Sequence, residues 1–253
     1  MPPTIAFIGS GNLGRTIAQL AAEAGFDVVL SNSRGPETLT DLVAELPGHA
    51  RATTPAQAAQ AADLVVVSLP FHAMEQLPAE ALAGKTVIDT MHYFPDRDGR
   101  LAELDERRTT SSELLQRRLP DSPIVKTLSS MDFIRMYSGA RPIGHPERSA
   151  LPVTGNDAEA KAEVARFMDT IGYDAVDIGS LADSWRHEAG IPMNVLPYIG
   201  EPPKGMNQEQ AHDWVYNGPS AVVSASHVRE LTDQATRTGR VGLFPEDLFP
   251  VDK

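Results

Sequence analysis

The chain has no cysteine among its 253 residues. Disulfide bonds, catalytic thiolates, cysteine-ligated zinc and iron–sulfur clusters are therefore excluded. No apolar run reaches the roughly 18 residues that a membrane-spanning helix needs. The first residues, "MPPTIAFIG", run into a strand pattern without a basic or apolar leader. From these absences we expect a cytoplasmic protein with no membrane partner.

Basic residues are also scarce, because 22 Lys and Arg stand against 34 Asp and Glu, for a formal net charge of −12. Nucleic acids and anionic membranes attract basic surfaces, so we expect no nucleic acid as a partner. The seven histidines show no metal-ligand spacing, and we expect no metal. The G-x-S-x-G and Walker A motifs are absent as well. A polyanionic cofactor would have to be bound by local amides and arginines.

The apolar residues that are present predict alternating strands and helices. The runs "TIAFIG", "DVVLSN", "ADLVVVSLP", "KTVIDTM" and "PIVKTL" are typical of buried parallel strands. Helices are expected from about Asn12 to Ala24, from Pro36 along "ETLTDLVAEL", and from the capping box Thr110–Glu113 to about Leu119. The strand "LPVTG", a helix over about Asp157–Ile171 and the strand "YDAVDIG" follow. This alternation predicts an α/β fold with a doubly wound, mainly parallel sheet.

A glycine motif lies where the first strand meets the first helix. Residues 9–14, "GSGNLG", match G-x-G-x-x-G in the context that the dinucleotide fingerprint requires. The first glycine permits a tight turn, the second lets the backbone approach a pyrophosphate, and the third lets helix and strand pack closely. Free amides at the helix start would hold the phosphates. The motif predicts a Rossmann-type dinucleotide site, the alternative being a turn without a ligand; its expected binding residues are Gly9, Ser10, Gly11, Asn12 and Leu13.

The end of the second strand bears on which dinucleotide binds. NAD sites typically have Asp or Glu there, to bind the ribose 2′-hydroxyl. This chain instead has Ser31, Asn32, Ser33 and Arg34. Hydroxyl donors and a guanidinium suit a 2′-phosphate, which a carboxylate would repel. The segment therefore favours NADP(H), with a solvated surface role for Arg34 as the alternative.

Two further strand ends are candidates for the nicotinamide side of the site. Leu69 and Pro70 end the run "ADLVVVSLP", His72 lies two residues further on, and Thr90 and Met91 end the run "KTVIDTM". Ligands of open α/β sheets bind at the carboxyl ends of the strands, so we expect these residues to line the cofactor crevice. A plain strand terminator at Pro70 is an equal alternative.

The sequence leaves the catalytic residues unknown. If the acceptor is a ketone or an imine, a proton donor is needed, and His92 or His72 is the first candidate. For His92 a packed or solvated histidine is the alternative. Lys126 lies within a strand, and we assign it no catalytic role.

Several segments together resemble one known family. They are "IGSGNLGRTIAQLAAEAGFDVVLSNSR", "DLVVVSLPF", "KTVIDTM", "IVKTL" and "LPVTGNDAEAKAEVARFMDTIGYDAVDIGSLADS". This set, over about Thr4–Ser184, is similar to the deazaflavin-dependent NADP oxidoreductases, whose founding members pass hydride between reduced coenzyme F420 and NADP. The resemblance implies that residues 10–13 bind the pyrophosphate, that residues 31–34 bind the 2′-phosphate, and that residues 69–72 lie near the nicotinamide.

The chain departs from that family in two places. Compact members end soon after the "GSLADS" element, whereas this chain continues to Lys253. The stretch "KTLSSMDFIRMYSGARPIGHPERSA" lacks the small-residue "N-T/I-P" type sequence expected beside the second cofactor. The resemblance therefore implies the NADP site but does not decide whether a deazaflavin site is present. We expect the tail to close the pocket or to exchange between subunits, or else to pack as an extra helical layer; its aromatic residues are Trp185, Trp214, Tyr216, Phe244 and Phe249.

These observations lead to one functional hypothesis with two alternatives. We predict an NADP-binding Rossmann domain over residues 1–180 and a mostly helical extension over residues 181–253. The protein is expected to be a homodimeric NADPH-dependent oxidoreductase that moves hydride between NADP(H) and a small-molecule second substrate, with coenzyme F420 as the implied co-substrate. The alternatives are an NADPH-dependent reductase of a small ketone or imine, and a non-catalytic NADP(H) sensor.

Overall fold

One sheet of eight strands organises the protein. The computed structural model describes residues 3–200, 203, 205–238 and 241–242. The strands are β1 (Thr4–Ile8), β2 (Asp27–Ser31), β3 (Ala50–Ala52), β4 (Leu64–Val67), β5 (Thr86–Asp89), β6 (Ile124–Lys126), β7 (Ala150–Gly155) and β8 (Asp174–Asp177). Their spatial order is β3-β2-β1-β4-β5-β6-β7-β8. Strands β1 to β6 run parallel, β7 is antiparallel to β6, and β8 is parallel to β7. The predicted α/β fold with a mainly parallel Rossmann-type sheet is confirmed.

Helices connect the strands and form the C-terminal part of the described chain. Three are 3-10 helices, at Pro36–Leu39, Phe71–Gln76 and Leu181–His187. The α-helices are α1 (Asn12–Glu23), α2 (Thr40–Glu45), α3 (Pro55–Ala61), α4 (Ala79–Leu82), α5 (Pro95–Asp98), α6 (Ala102–Asp105), α7 (Ser111–Arg118), α8 (Phe133–Ser138), α9 (Ala158–Ile171), α10 (Leu196–Ile199), α11 (Gln208–Asn217) and α12 (Ala225–Gln234).

Local sequence signals determine where the predicted helices begin and end. The side chains of Thr110 and Glu113 form both hydrogen bonds of the predicted capping box before α7. Asp157 caps α9 by accepting a hydrogen bond from the Ala160 amide, and α9 stops at Gly172, whose φ of 110° is left-handed. The expected helix boundaries are therefore met within one residue here.

Two short elements differ from the expectation. The helix expected from Pro36 is a 3-10 turn followed by α2, because Leu39 leaves helical geometry at ψ 6°. Strand β3 has only three residues, "ARA", and lies at the sheet edge with Arg51 exposed. Its sequence lacks the apolar alternation that predicts a strand.

The two faces of the sheet carry separate buried clusters, since successive side chains point to opposite faces. Ile5 and Phe7 of β1 pack with α1 and α9, whereas Ala6 and Ile8 pack with α3 and α7 on the other face. The chain after Ser180 adds to the first cluster through Met193, Tyr198, Val223 and Val228. The division at residue 180 stays a prediction.

Within the residues that the structure describes, no helix is long and apolar enough to cross a membrane.

Candidate cofactor and substrate site

A cleft of about 530 Å³ opens at the carboxyl ends of β1, β2 and β4. The chain runs from β1 toward β2 on one side and returns to β4 on the other, so this is the topological switch point where open α/β sheets bind ligands. The lining residues are Ile8, Gly9, Ser10, Gly11, Asn32, Ser33, Arg34, Gly35, Pro36, Thr54, Pro55, Ser68, Leu69, Pro70, Ala73, Gln76 and Leu77.

The three motif glycines have different surroundings. A Cβ on Gly9, which has φ 105°, would overlap the Ser68 carbonyl, and one on Gly14 would overlap the Gly9 carbonyl. A Cβ on Gly11 would meet no atom within 4 Å. Gly11 is the N-cap of α1, and no side chain caps that helix. The first amides of α1 are thus left for a ligand, and the space over Gly11 gives a pyrophosphate room to approach.

The segment after β2 splits into buried and exposed residues. The Ser31 side chain is fully buried and donates to the Phe7 carbonyl at 2.9 Å, so it does not face the cleft. Asn32 Oδ1 accepts from the amides of Arg34 and Gly35 at 2.9 and 3.0 Å and so shapes the turn. Ser33 and Arg34 are exposed at the rim of the cleft, together with the glycine loop.

Of the strand-end candidates, Leu69 and Pro70 line the cleft and the others do not. The Thr90 hydroxyl donates to the Val67 carbonyl at 3.1 Å, and Met91 is 2% exposed. These two side chains are core residues beneath the edge of the sheet. Asn12, Leu13 and His72 are also outside the lining set; the first two begin α1, where their amides rather than their side chains serve a phosphate.

His92 is half-buried, and both of its ring nitrogens have backbone partners. Nε2 lies 2.8 Å from the Ser129 carbonyl and therefore donates, while Nδ1 accepts from the Ala189 amide at 3.3 Å. Burial, followed by the charge of Lys126, lowers the pKa of His92 to about 3, against the hydrogen bond to Ser129, which raises it. The ring is neutral near pH 7, so the packed-histidine alternative fits this geometry and the proton-donor hypothesis does not.

Lys126 is fully buried at the end of β6. Its ammonium group donates to the Met91 carbonyl at 2.6 Å and lies 3.6 Å from Asp89 Oδ2. Asp89 also accepts from the Ser112 hydroxyl at 2.7 Å. Each charged group is thus compensated inside the fold, as a buried ion pair requires.

The C-terminal part of the chain covers the carboxyl ends of β5 and β6. We call residues 187–195 the covering segment. The Val195 amide donates to the Ser130 carbonyl at 2.7 Å. His187 Nε2 lies 3.1 Å from the Thr154 hydroxyl, and its Nδ1 lies 3.3 Å from the Ser130 hydroxyl. Burial, aided by nearby positive charge, holds the pKa of His187 well below its usual range.

Two of the aromatic residues of the tail, Trp185 and Trp214, are half-buried against the rest of the described chain. Trp185 lies under the guanidinium of Arg186 and borders a cavity of about 30 Å³, a volume close to that of one water. Trp214 packs on the small cluster that contains Ile199 and Val215, and Tyr216 is 38% exposed. The remaining two aromatic residues of the tail, Phe244 and Phe249, lie outside the described residues.

One carboxylate–histidine pair spans the loops after β4 and β5. His72 Nδ1 lies 2.8 Å from Asp98 Oδ1. Arg97 donates to the same carboxylate through Nε and Nη2 at 2.9 and 2.8 Å. In the described part of the chain, no group of three His, Asp or Glu side chains is arranged to hold a metal ion.

The sequence did not single out several residues that line the cleft. Thr54 and Pro55 follow the short β3, and Ala73, Gln76 and Leu77 come from the 3-10 helix after β4. The only local signal is the capping box "TPAQ", in which the Thr54 and Gln57 side chains bond reciprocally. It predicts a helix start but not its place beside the cleft.

Known proteins with related sequences or structures agree with this geometry. The family model for coenzyme F420-dependent NADP oxidoreductases matches residues 4–93. A solved structure from Arthrobacter sp. FB24, assigned as an F420-dependent NADP-reductase, is 30% identical and covers 71% of this chain and 86% of its own, with a TM-score of 0.61.

Two curated relatives are longer than this chain. The metalloreductase STEAP3 of Rattus norvegicus is 28% identical over 197 residues, which are 77% of this chain and 37% of that protein. The uncharacterised oxidoreductase YfjR of Bacillus subtilis is 27% identical over 201 residues, or 76% of this chain and 61% of that protein. The chain thus spans less than two thirds of either relative. Together with the family model, the Arthrobacter structure shows that this chain belongs to the coenzyme F420-dependent NADP oxidoreductase family.

Proposed function

We propose that this protein transfers hydride between NADP(H) bound in the cleft and a second substrate held against the nicotinamide. The observation that carries the proposal is the continuous cleft that joins the open space over Gly11 to the exposed Ser33 and Arg34. Pyrophosphate and 2′-phosphate are the two anionic parts of NADP(H), and these residues supply amide and guanidinium donors for them. In an acidic protein such a pairing of donors is expected at a site that must hold a polyanion.

We assign the remaining parts of the cleft by their order along it. Thr54 and Pro55 lie beyond the Arg34 turn and would contact the adenine. Leu69 and Pro70 lie at the end of β4 and would contact the nicotinamide. Bound NADP(H) supplies the hydride. The protein residues bind and orient it, and they exclude water from the apolar end of the cleft.

Coenzyme F420 is the second substrate that we propose first. Its support is the family assignment and the Arthrobacter relative, which is assigned as an F420-dependent NADP-reductase. The oxidoreductase family makes a non-catalytic NADP(H) sensor the weaker alternative, and we set it aside. The homodimer and the cytoplasmic location stay predictions.

A small ketone or imine is the second candidate, and the covering segment favours it. Backbone and side-chain hydrogen bonds from Ala189, Asn194 and Val195 fasten this segment to the carboxyl ends of β5 and β6. A compact acceptor needs less room at this end of the sheet than a tricyclic deazaflavin does.

An acceptor assay separates the two candidates. Purified protein and NADPH are mixed with one acceptor in each of three separate reactions, and the acceptors are F420, cyclohexanone and a cyclic imine. The absorbance of NADPH and of F420 is followed. Loss of the F420 absorbance supports the first candidate, and oxidation of NADPH only with the ketone or the imine supports the second. Normal NADPH binding without oxidation by any of the three would contradict hydride transfer to these acceptors.

A further inference from the structure

The pair formed by His72 and Asp98 connects two loops at the carboxyl edge of the sheet. His72 belongs to the 3-10 helix that follows β4, and Asp98 ends α5, which follows β5. Both the His72 amide and His72 Nδ1 approach Asp98 Oδ1, at 3.4 and 2.8 Å. In the chain, His72 stands between Pro70 and Ala73, and both of these line the cleft. The pair is therefore next to the nicotinamide end of the proposed site.

Asp98 is held as a carboxylate. Burial alone raises its pKa, but hydrogen bonds from the Arg97 side chain, the Phe94 amide and His72 outweigh burial and lower that pKa to about 2. Arg97 is fixed in turn, because its Nη2 also donates to the His92 carbonyl at 2.7 Å. A carboxylate only accepts hydrogen bonds, so Nδ1 of His72 must be the donor.

With Nδ1 bonded to Asp98, Nε2 is the nitrogen of His72 that can exchange a proton with a bound substrate. The Asp98 side chain is 0% exposed, whereas the His72 side chain is 49% exposed. Among the described residues no hydrogen-bond partner is found for His72 Nε2. A buried carboxylate that fixes the tautomer of a half-exposed imidazole is the usual way of orienting a histidine that handles protons. His92, by contrast, has both nitrogens occupied and is neutral.

We propose that His72 exchanges the proton of the reaction with the second substrate, and that Asp98 and Arg97 are positioning residues for it. The proposal rests on the hydride transfer proposed above. Reduction adds a hydride to the acceptor carbon, and the electron pair of the broken π bond moves to the acceptor heteroatom. That atom takes the proton from His72 Nε2, and water reprotonates the imidazole. In the reverse direction Nε2 accepts the proton.

The direction of the pH dependence follows from these roles. General acid catalysis of the reduction weakens as pH rises, and general base catalysis of the reverse oxidation weakens as pH falls, so kcat of the two directions should respond to pH in opposite ways. Four charged groups face this histidine or its helix. Asp98 and Arg97 come from α5, Glu75 lies on the same 3-10 helix, and Arg118 of α7 donates to the Glu75 and Leu77 carbonyls.

The test compares His72→Asn with a matched control. His227 of α12 also pairs Nδ1 with a carboxylate, that of Glu230 at 3.2 Å, and its side chain is 48% exposed. Whichever of F420, cyclohexanone and the cyclic imine the wild type reduces fastest is used over a range of pH. His72→Asn should lower kcat by about 10²-fold or more with little change in NADPH affinity, and it should flatten the pH profile. His227→Asn should leave both unchanged.

Asp98→Asn tests the positioning role. It removes the carboxylate that accepts from His72 Nδ1 and so loosens the orientation of the ring, and kcat should therefore fall while KM and the NADPH affinity change little. Full kcat and an unchanged profile in His72→Asn would overturn the inference and leave hydride transfer intact. No turnover by the wild type with NADPH bound would instead contradict the proposed function, and the inference would fall with it.

Discussion

At Gly9 and Gly14 a side chain has no room, because backbone carbonyls occupy the positions that their Cβ atoms would take. Gly11 has open space there and an ordinary φ of −74°. Gly9 and Gly14 are therefore required by the fold, whereas Gly11 is required only if a ligand must occupy that space. The motif thus contains glycines that the fold requires and a glycine that ligand binding would require, and mutations can distinguish the two.

We expect Gly11→Val to lose the binding of both NADPH and NADH while the thermal unfolding midpoint stays close to that of the wild type. The valine side chain would enter the space proposed for the pyrophosphate, which both cofactors share. Gly14→Ala is the contrasting variant and should lower the midpoint, because its Cβ overlaps the Gly9 carbonyl. Fluorescence titration and calorimetry measure the two effects. If folded Gly11→Val binds both cofactors normally, the proposal that the pyrophosphate lies over Gly11 is contradicted.

Arg34→Ala should weaken NADPH and leave NADH nearly unchanged. A hydrogen bond to a charged group contributes roughly 1.5–3 kcal/mol, and each 1.4 kcal/mol is about tenfold in affinity, so the loss should be roughly 10- to 150-fold. Ser33→Ala should act in the same direction but less. The carboxylate of Glu37 lies against Gly35 in the same turn, so Glu37→Gln should strengthen NADPH binding. If Arg34→Ala loses affinity for NADPH and NADH equally, Arg34 does not bind the 2′-phosphate and instead supports the fold or the pyrophosphate.

At the scale of elements, a single arginine joins α8 to α11. Arg135 is 2% exposed, and its Nη1 donates to the Val215 carbonyl at 2.7 Å and to Asp132 at 2.9 Å. Its Nη2 donates to the Gly218 carbonyl at 3.0 Å. The carbonyls at the end of a helix have no partner within it, so this guanidinium satisfies the C-terminal end of α11. The extension is fastened to the body of the protein at this point.

Arg135→Met should destabilise the protein by about 3 kcal/mol, since it leaves buried carbonyls and the carboxylate of Asp132 without their donor. Urea denaturation followed by tryptophan fluorescence measures this, because Trp214 lies in α11. The control is Arg108→Met, which breaks an exposed pair with Glu106 and should cost less than about 1 kcal/mol. Equal stability of the two variants would mean that Arg135 does not hold α11.

For the whole molecule, two histidines with lowered pKa values predict instability in acid. The pKa of His92 falls from 6.5 to about 3 on folding, so between these pH values the unfolded chain binds a proton that the folded chain does not. Stability therefore decreases as pH falls through this window, by about 1.4 kcal/mol per pH unit for each such group. His187 acts in the same direction. Below pH 3.8 the lowered pKa of Asp98 adds to the loss.

The measurement is the free energy of unfolding by urea at several pH values from neutral to about pH 4, where histidine protonation decides the slope. We expect a steady decrease below pH 6.5 and a shallower one in His92→Asn, which cannot take up the proton. A stability that is independent of pH across this range would contradict the lowered pKa of both histidines.

Local patterns were sufficient to predict much of the fold. "TIAFIG", the glycine motif and the capping boxes each depend on neighbouring residues, and the structure has β1, α1 and α7 where these signals indicate them. Strand β3 was not predicted. Its three residues lie at the edge of the sheet, two half-buried and one exposed, and such a short run shows no apolar periodicity. The turn after β2 was identified, but the burial of Ser31 against Phe7 depends on a neighbouring strand and has no local signal.

The rest of the site depends on contacts between distant parts of the chain. His72 and Asp98 are 26 residues apart and meet only because β4 and β5 are neighbours in the sheet. The hydrogen bond that His92 Nδ1 accepts comes from the amide of Ala189, which is 97 residues away. The sequence shows where the histidines are, but it does not indicate which of them has a ring nitrogen without a hydrogen-bond partner among the described residues.

A crystal structure of the protein with NADPH bound tests the proposed cofactor site most directly. We expect the pyrophosphate over Gly11 at the start of α1 and the 2′-phosphate within hydrogen-bond distance of Arg34 and Ser33. We also expect the nicotinamide against Leu69 and Pro70. A nucleotide bound outside this cleft, or one that lies in it with the 2′-phosphate away from Arg34, would contradict the proposed NADP(H) site.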